Sequence, residues 1–169
     1  MNKSMEFKLE TLKSGIIGTG LTNAIFNGLA YYLMNRSHGP KMLLDFTIGA
    51  AATGFILSLI CSGILFATIK AKAKKGKLPE TTYDRNDHLL MFFFPRKAFP
   101  QLLAISAFVM VEFAVIASGV FGILGYSATG IPLMHGVILH GILCGGMGLT
   151  NVYLSWVCRL TSLKEEGVL

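Results

Sequence analysis

Four stretches of this chain, 14–35, 42–69, 101–126 and 131–157, are free or nearly free of charge. Each exceeds the roughly 20 residues that a helix needs to cross a bilayer core of about 30 Å. A soluble bundle would need a polar face on each helix at helical spacing, and these runs have none. Only 14% of the residues are charged and 53% are hydrophobic, whereas soluble domains carry about 25% charge. The expected fold is therefore all-α: a polytopic membrane protein of four transmembrane helices arranged as two helical hairpins.

Lysine and arginine set the expected orientation, because they favour the cytoplasmic side. Residues 1–13, 70–100 and 158–169 together hold thirteen of them, and the two hairpin turns hold only Arg36 and Lys41. Both termini are thus expected in the cytoplasm, with the chain in the plasma (cytoplasmic) membrane. The segments are an amino tail (1–13), a first hairpin (14–69), a basic loop (70–100), a second hairpin (101–157) and a carboxyl tail (158–169). No cleavable signal peptide is expected, since the first apolar run is a full span without a small-residue cleavage site. The formal charge of +6 is read as a topology signal. Its basic residues flank spans rather than covering a folded face, so nucleic acid is not an expected partner. Cys61, Cys144 and Cys158 form no C-x-x-C and are read as small packing residues.

The loop has two expected roles. Its basic run, 71–77, should lie against anionic lipid headgroups. Its run 89–94 is apolar but too short to span, and Pro95 and Pro100 bracket Arg96 and Lys97. That pattern suits an interfacial segment with aromatics in the headgroup boundary. A gate or a partner-docking surface is the alternative.

Gly-x-Gly-Leu-Thr-Asn occurs twice, at 18–23 and 146–151. It falls early in the first span and late in the fourth. The two helices run antiparallel under this topology, so both phrases should lie in the cytoplasmic half and could face each other. Small residues also recur along the later spans: Ala104, Ala107, Val111, Ala114, Ser118, Gly122 and Gly125 on the third; Gly141, Gly145, Gly148, Val152 and Ser155 on the fourth. The second offers Gly49, Ala52, Ile56, Gly63 and Ala67. Such stripes permit close helix contacts, within one chain or between copies. At least one of them is expected between subunits, with Gly145 the test position.

The polar residues inside the spans mark the candidate site. Glu112 lies near the middle of the third span. A charged carboxylate there costs about 2.5–3.5 kcal/mol on insertion scales, so it should be neutral or paired, and it is a functional candidate by default. His140, Cys144, Met147 and Asn151 share one face of the fourth helix, and Thr19, Asn23 and Asn27 share one of the first. The expected solute- or ion-binding set is Glu112, His140, Asn23, Asn27, Asn151 and Thr19, centred on Glu112. The bland reading is that the Asn-bearing helices only glue together. His140, Cys144 and Met147 include soft metal ligands, but without Met-rich repeats no metal is expected. His135 and His140 lie on one helix and His38 in a turn, so haem is not expected either. Lys41 and Asp45 are spaced for a local ion pair, which His135 would join.

No hydrolase, kinase or oxidoreductase motif is present, and no enzyme or cofactor is expected. The leading reading is a small permease or channel for an unknown solute or ion. Four spans leave little interior space, so it would work as a homodimer or larger homo-oligomer. Glu112 would make proton coupling available. The runner-up is a membrane accessory, assembly or regulatory subunit whose polar residues only join helices.

Overall fold

A computed structural model describes residues 13–78, 85 and 89–168. Those residues are helical, without strands. A π-helical stretch (Ser14–Leu21) runs directly into α1 (Thr22–Asn35). After a turn come α2 (Leu43–Lys74), a short 3₁₀ helix (Leu89–Phe93), α3 (Ala98–Ile123), a single turn α4 (Tyr126–Thr129) and α5 (Leu133–Glu165). Three helices, α2, α3 and α5, are long and apolar enough to cross a membrane. The first apolar run differs because its wide π turns interrupt the regular helix. Such turns are rare and short, and they open the i→i−4 ladder by one residue. Gly15 and Gly20 allow this local geometry: a Cβ on Gly20 would stand 3.0 Å from the Gly15 carbonyl.

Two connections close the same end. Asn35 caps its own helix by donating its amide to the Tyr31 carbonyl at 2.8 Å, and Gly39-Pro40 then breaks the helix. Gly125 and Gly130 take positive φ values of 78° and 75° around α4, which glycine adopts without a Cβ penalty. The two connections are tied by an isolated bridge in which Lys41 and Ile131 exchange backbone hydrogen bonds of 3.2 and 2.7 Å.

Aromatic side chains fill the seam between α2 and α3, which run antiparallel. Phe46 meets Phe121 edge-to-face at 5.0 Å, a favourable ring geometry. Phe113 occupies the space above Gly54, where an added Cβ would come within 2.9 Å of the ring. Leu139, Leu143, Cys144 and Met147 of α5 close this core. Toward the opposite end Met91, Phe94, Phe66, Ile105, Leu154, Val157 and Cys158 form a second cluster. Arg85 donates to the carbonyls of Met91 and Phe94, holding the 3₁₀ segment against the helices. Phe92, Phe93 and Phe99 project outward, beside exposed Arg96 and Lys97. The basic run begins on regular helix, since α2 continues through Lys70 and Lys72 to Lys74.

The two glycine phrases meet. A Cβ on Gly148 would stand 2.6 Å from the Cα of Gly20 and 2.8 Å from the Gly15 carbonyl; one on Gly145 would stand 3.1 Å from the Ala24 Cβ. The π segment and α1 thus lie antiparallel on α5 at backbone contact. The α5 glycine stripe is therefore taken up inside one chain, and Gly145 faces Ala24 of that same chain rather than an open surface. The α3 stripe points the other way: Val111, Ser118, Gly122 and Gly125 are exposed. Ala52, Ile56 and Ala67 of α2 are exposed as well.

Candidate functional site

The six polar residues singled out from the sequence do not converge on Glu112. Five separate environments receive them.

Asn151 belongs to a buried knot between α2 and α5. Its Oδ1 accepts hydrogen bonds from Ser58 (2.7 Å) and Ser62 (2.8 Å), and Ser155 donates to Ser62 at 2.9 Å. All four residues have 0% exposure. Lipid offers these hydroxyls no partner, so the asparagine carbonyl is a strong local acceptor. Polarity along the spans does not single out Ser58 and Ser62, because lone serines are common in apolar helices. Their i, i+4 spacing, which matches that of Asn151 and Ser155, is the signal that finds them.

Glu112 stands on the α3–α5 seam, half-buried, where Thr150 donates to its Oε1 at 3.2 Å. Its Oε2 is buried and has no partner among the described residues. Thr150 lies ten residues beyond His140 on α5, about 15 Å along the axis at 1.5 Å per residue. The expected polar site around Glu112 and His140 is thus split along the helix. Asn23, half-buried, directs its amide at Cys61 of α2 at 4.0 Å. Thr19 sits half-buried in the π-helical stretch.

Asn27 and His140 do come together. They line a cleft of about 370 Å³ between α1 and α2, with α5 as its floor. The other lining residues include Tyr31, Asn35, His38, Lys41, Gly49 and Thr53. The cleft exists because α1 and α2 each pack on α5 and meet one another through a few side chains, Tyr31 on Phe46 and Asn23 on Cys61, rather than along their backbones. His140 is only 6% exposed. Its ring lies against Tyr31, with centroids 4.9 Å apart, and its Nδ1 is buried without a partner among the described residues. Asn27 donates to the Asn23 carbonyl at 3.0 Å, and Thr53 to the Gly49 carbonyl at 2.9 Å. Among the described residues, nothing donates to the amide oxygen of Asn27 or to the Thr53 hydroxyl, so both can accept from a guest.

Two local expectations change. Lys41 and Asp45 do not pair; the ion pairs among the described residues are Arg96–Glu165 and Arg159–Glu166. The reason is positional: α2 begins at Leu43 with Met42 extended, so the helical i, i+4 relation does not reach Lys41. His135 instead meets the Tyr126 hydroxyl at 2.6 Å. Lys41 is thereby left to the cleft.

Comparison with protein-family models, with curated proteins and with solved structures finds no match for this chain. Its function must be read from the geometry itself.

Proposed function

We propose that this protein is a small multi-pass permease or channel of the plasma membrane, working as a homo-oligomer. In this reading the π segment and α1 together form the first span, α2 the second, α3 the third and α5 the fourth. Both termini and the basic loop face the cytoplasm, and the two tied connections face outward. The observation that carries the reading is the cleft. A buried histidine nitrogen without a partner among the described residues, two asparagines, a threonine and a lysine line a cavity within predominantly apolar helices. Polar groups in a bilayer are costly unless they serve packing or a solute. Glu112, with one carboxyl oxygen unpartnered among the described residues, is the proposed proton-coupling group, acting at a distance from the cleft rather than inside it.

The accessory-subunit reading draws on a different observation. The Ser58–Asn151–Ser62–Ser155 knot is fully buried, as a purely structural contact would be. Glu112→Gln separates the two. The variant keeps the size and the Thr150 hydrogen bond but cannot titrate. In proteoliposomes a coupled permease should lose the pH dependence of uptake, while folding and assembly persist. Uptake and proton flux identical to the unsubstituted protein would remove the coupling role and favour the accessory reading.

A further inference from the structure

The cleft differs from a closed pocket in three ways. Its walls belong to helices that meet through a few side chains rather than along their backbones, and it opens sideways between α1 and α2. Ala30, Met34 and Gly49 on those walls are exposed, and under the four-span reading that exposure is to lipid. Its polar groups are graded: His140 is buried, Asn27 and Thr53 are half-buried, and His38 and Lys41 lie at the end where the connections meet. Lys41 is the one side chain of fixed formal charge among the lining residues, and no carboxylate lines the cleft.

We propose that this cleft is a lateral binding site for an organic anion with an apolar tail, its head at Lys41 and His38 and its tail along Tyr31, Met34 and Ala30. The inference rests on the four-span permease reading for its membrane setting and names the class of compound that the site takes. A cation would meet the Lys41 ammonium, and no carboxylate is among the lining residues. A fully polar solute would leave the Met34 and Ala30 walls unused and would have to cross lipid to enter from the side. An anionic amphiphile already resides at the depth of Lys41, where a basic side chain attracts it. His140 Nδ1, with the Asn27 amide and the Thr53 hydroxyl, gives the far end its hydrogen-bonding groups, while Tyr31, Met34 and Ala30 supply the apolar wall.

Gly49 supplies a clean test, because a Cβ there meets nothing within 4 Å. A leucine at this position would bring bulk to the cleft wall from a Cβ that meets no neighbour. Lys41→Gln removes the charge and leaves the backbone bridge to Ile131 intact. The protein is placed in phosphatidylcholine nanodiscs, and equilibrium binding of radiolabelled decanoate is measured at neutral pH against empty nanodiscs. Decyltrimethylammonium, with the same tail and opposite charge, is the control probe, and thermal unfolding verifies that each variant is folded. Saturable decanoate binding is expected, weakened about ten- to a hundredfold by Lys41→Gln, as for loss of a hydrogen bond to a charged group. Gly49→Leu should abolish it, and the cationic probe should show no saturable component. Decanoate binding no greater than in empty nanodiscs, equal binding of the cation, or binding untouched by Gly49→Leu would overturn the proposal. If a second copy of the chain fills the cleft, Gly49→Leu will change the oligomer mass and decanoate will not bind, which also overturns it. Saturable binding without uptake would sink the permease reading alone, and uptake of solutes without this binding would sink this inference alone.

Discussion

Asn151 commits one end of its side chain to helix contacts, while its Nδ2 is buried without a partner among the described residues. Its position on a mostly apolar helix marks it as a candidate, yet both of its acceptor bonds go to Ser58 and Ser62. Asn151→Ala should lower stability by about 1–2 kcal/mol, read as reduced thermal or denaturant resistance in detergent. The loss is held to that range because each serine can turn its hydroxyl to the carbonyl four residues back. If Asn151→Ala unfolds like the parent protein but changes solute selectivity, the structural assignment fails. The neighbouring Thr150 and Gly148 take other tasks, holding Glu112 and admitting Gly20. One short phrase thus serves three contacts on three sides of α5, because successive helical residues point about 100° apart.

At the scale of elements, backbone contact decides how α1 meets α5. Glycine lets two helices approach to the point where side chains no longer separate them. Gly148→Ala would drive a Cβ into Gly20 backbone at 2.6 Å, where no flexible side chain can give way. It should cost about 1–3 kcal/mol, the range of an overpacked core, and loosen the π segment from α5. Gly119 lies on an exposed face with nothing within 4 Å of an added Cβ. Gly119→Ala should leave the melting temperature close to that of the parent. Equal effects of the two changes in a thermal melt would refute the packing assignment. The same geometry relocates the Gly145 test: since Gly145 faces Ala24 of its own chain, Gly145→Leu should first reduce the stability of the fold. Helix ends follow local chemistry more than hydropathy. Pro100 is accommodated in the first turn of α3, where its missing N–H has no intrahelical partner to lose.

At the scale of the whole molecule, the bridge between Lys41 and Ile131 ties both short connections at one end, and Arg85 with Arg96 and Lys97 lies at the other. This agrees with the charge asymmetry that the proposed topology uses. A reporter inserted near Gly76 should signal cytoplasm, and one at Ser127 should signal the outside; an external signal at Gly76 would overturn the orientation. Both positions are exposed at the ends of helices, so insertion should disturb packing little.

The apolar runs alone determined the helical class and the three long helices, because a helix of 26 to 33 residues with so little charge along its apolar stretch has few other folds open to it. The pairing of the two glycine phrases was also legible, since antiparallel helices bring equal depths together. What only the tertiary structure decided is which polar residues share a site. Helical spacing assigns residues to faces of their own helix but says nothing about which neighbour each face meets. The contacts of α5 on both α1 and α2 left the backbones of those two helices apart. That gap created the cleft, joined Asn27 and His140 to Tyr31, Thr53 and Lys41, and left Glu112 with Thr150 some way down the helix.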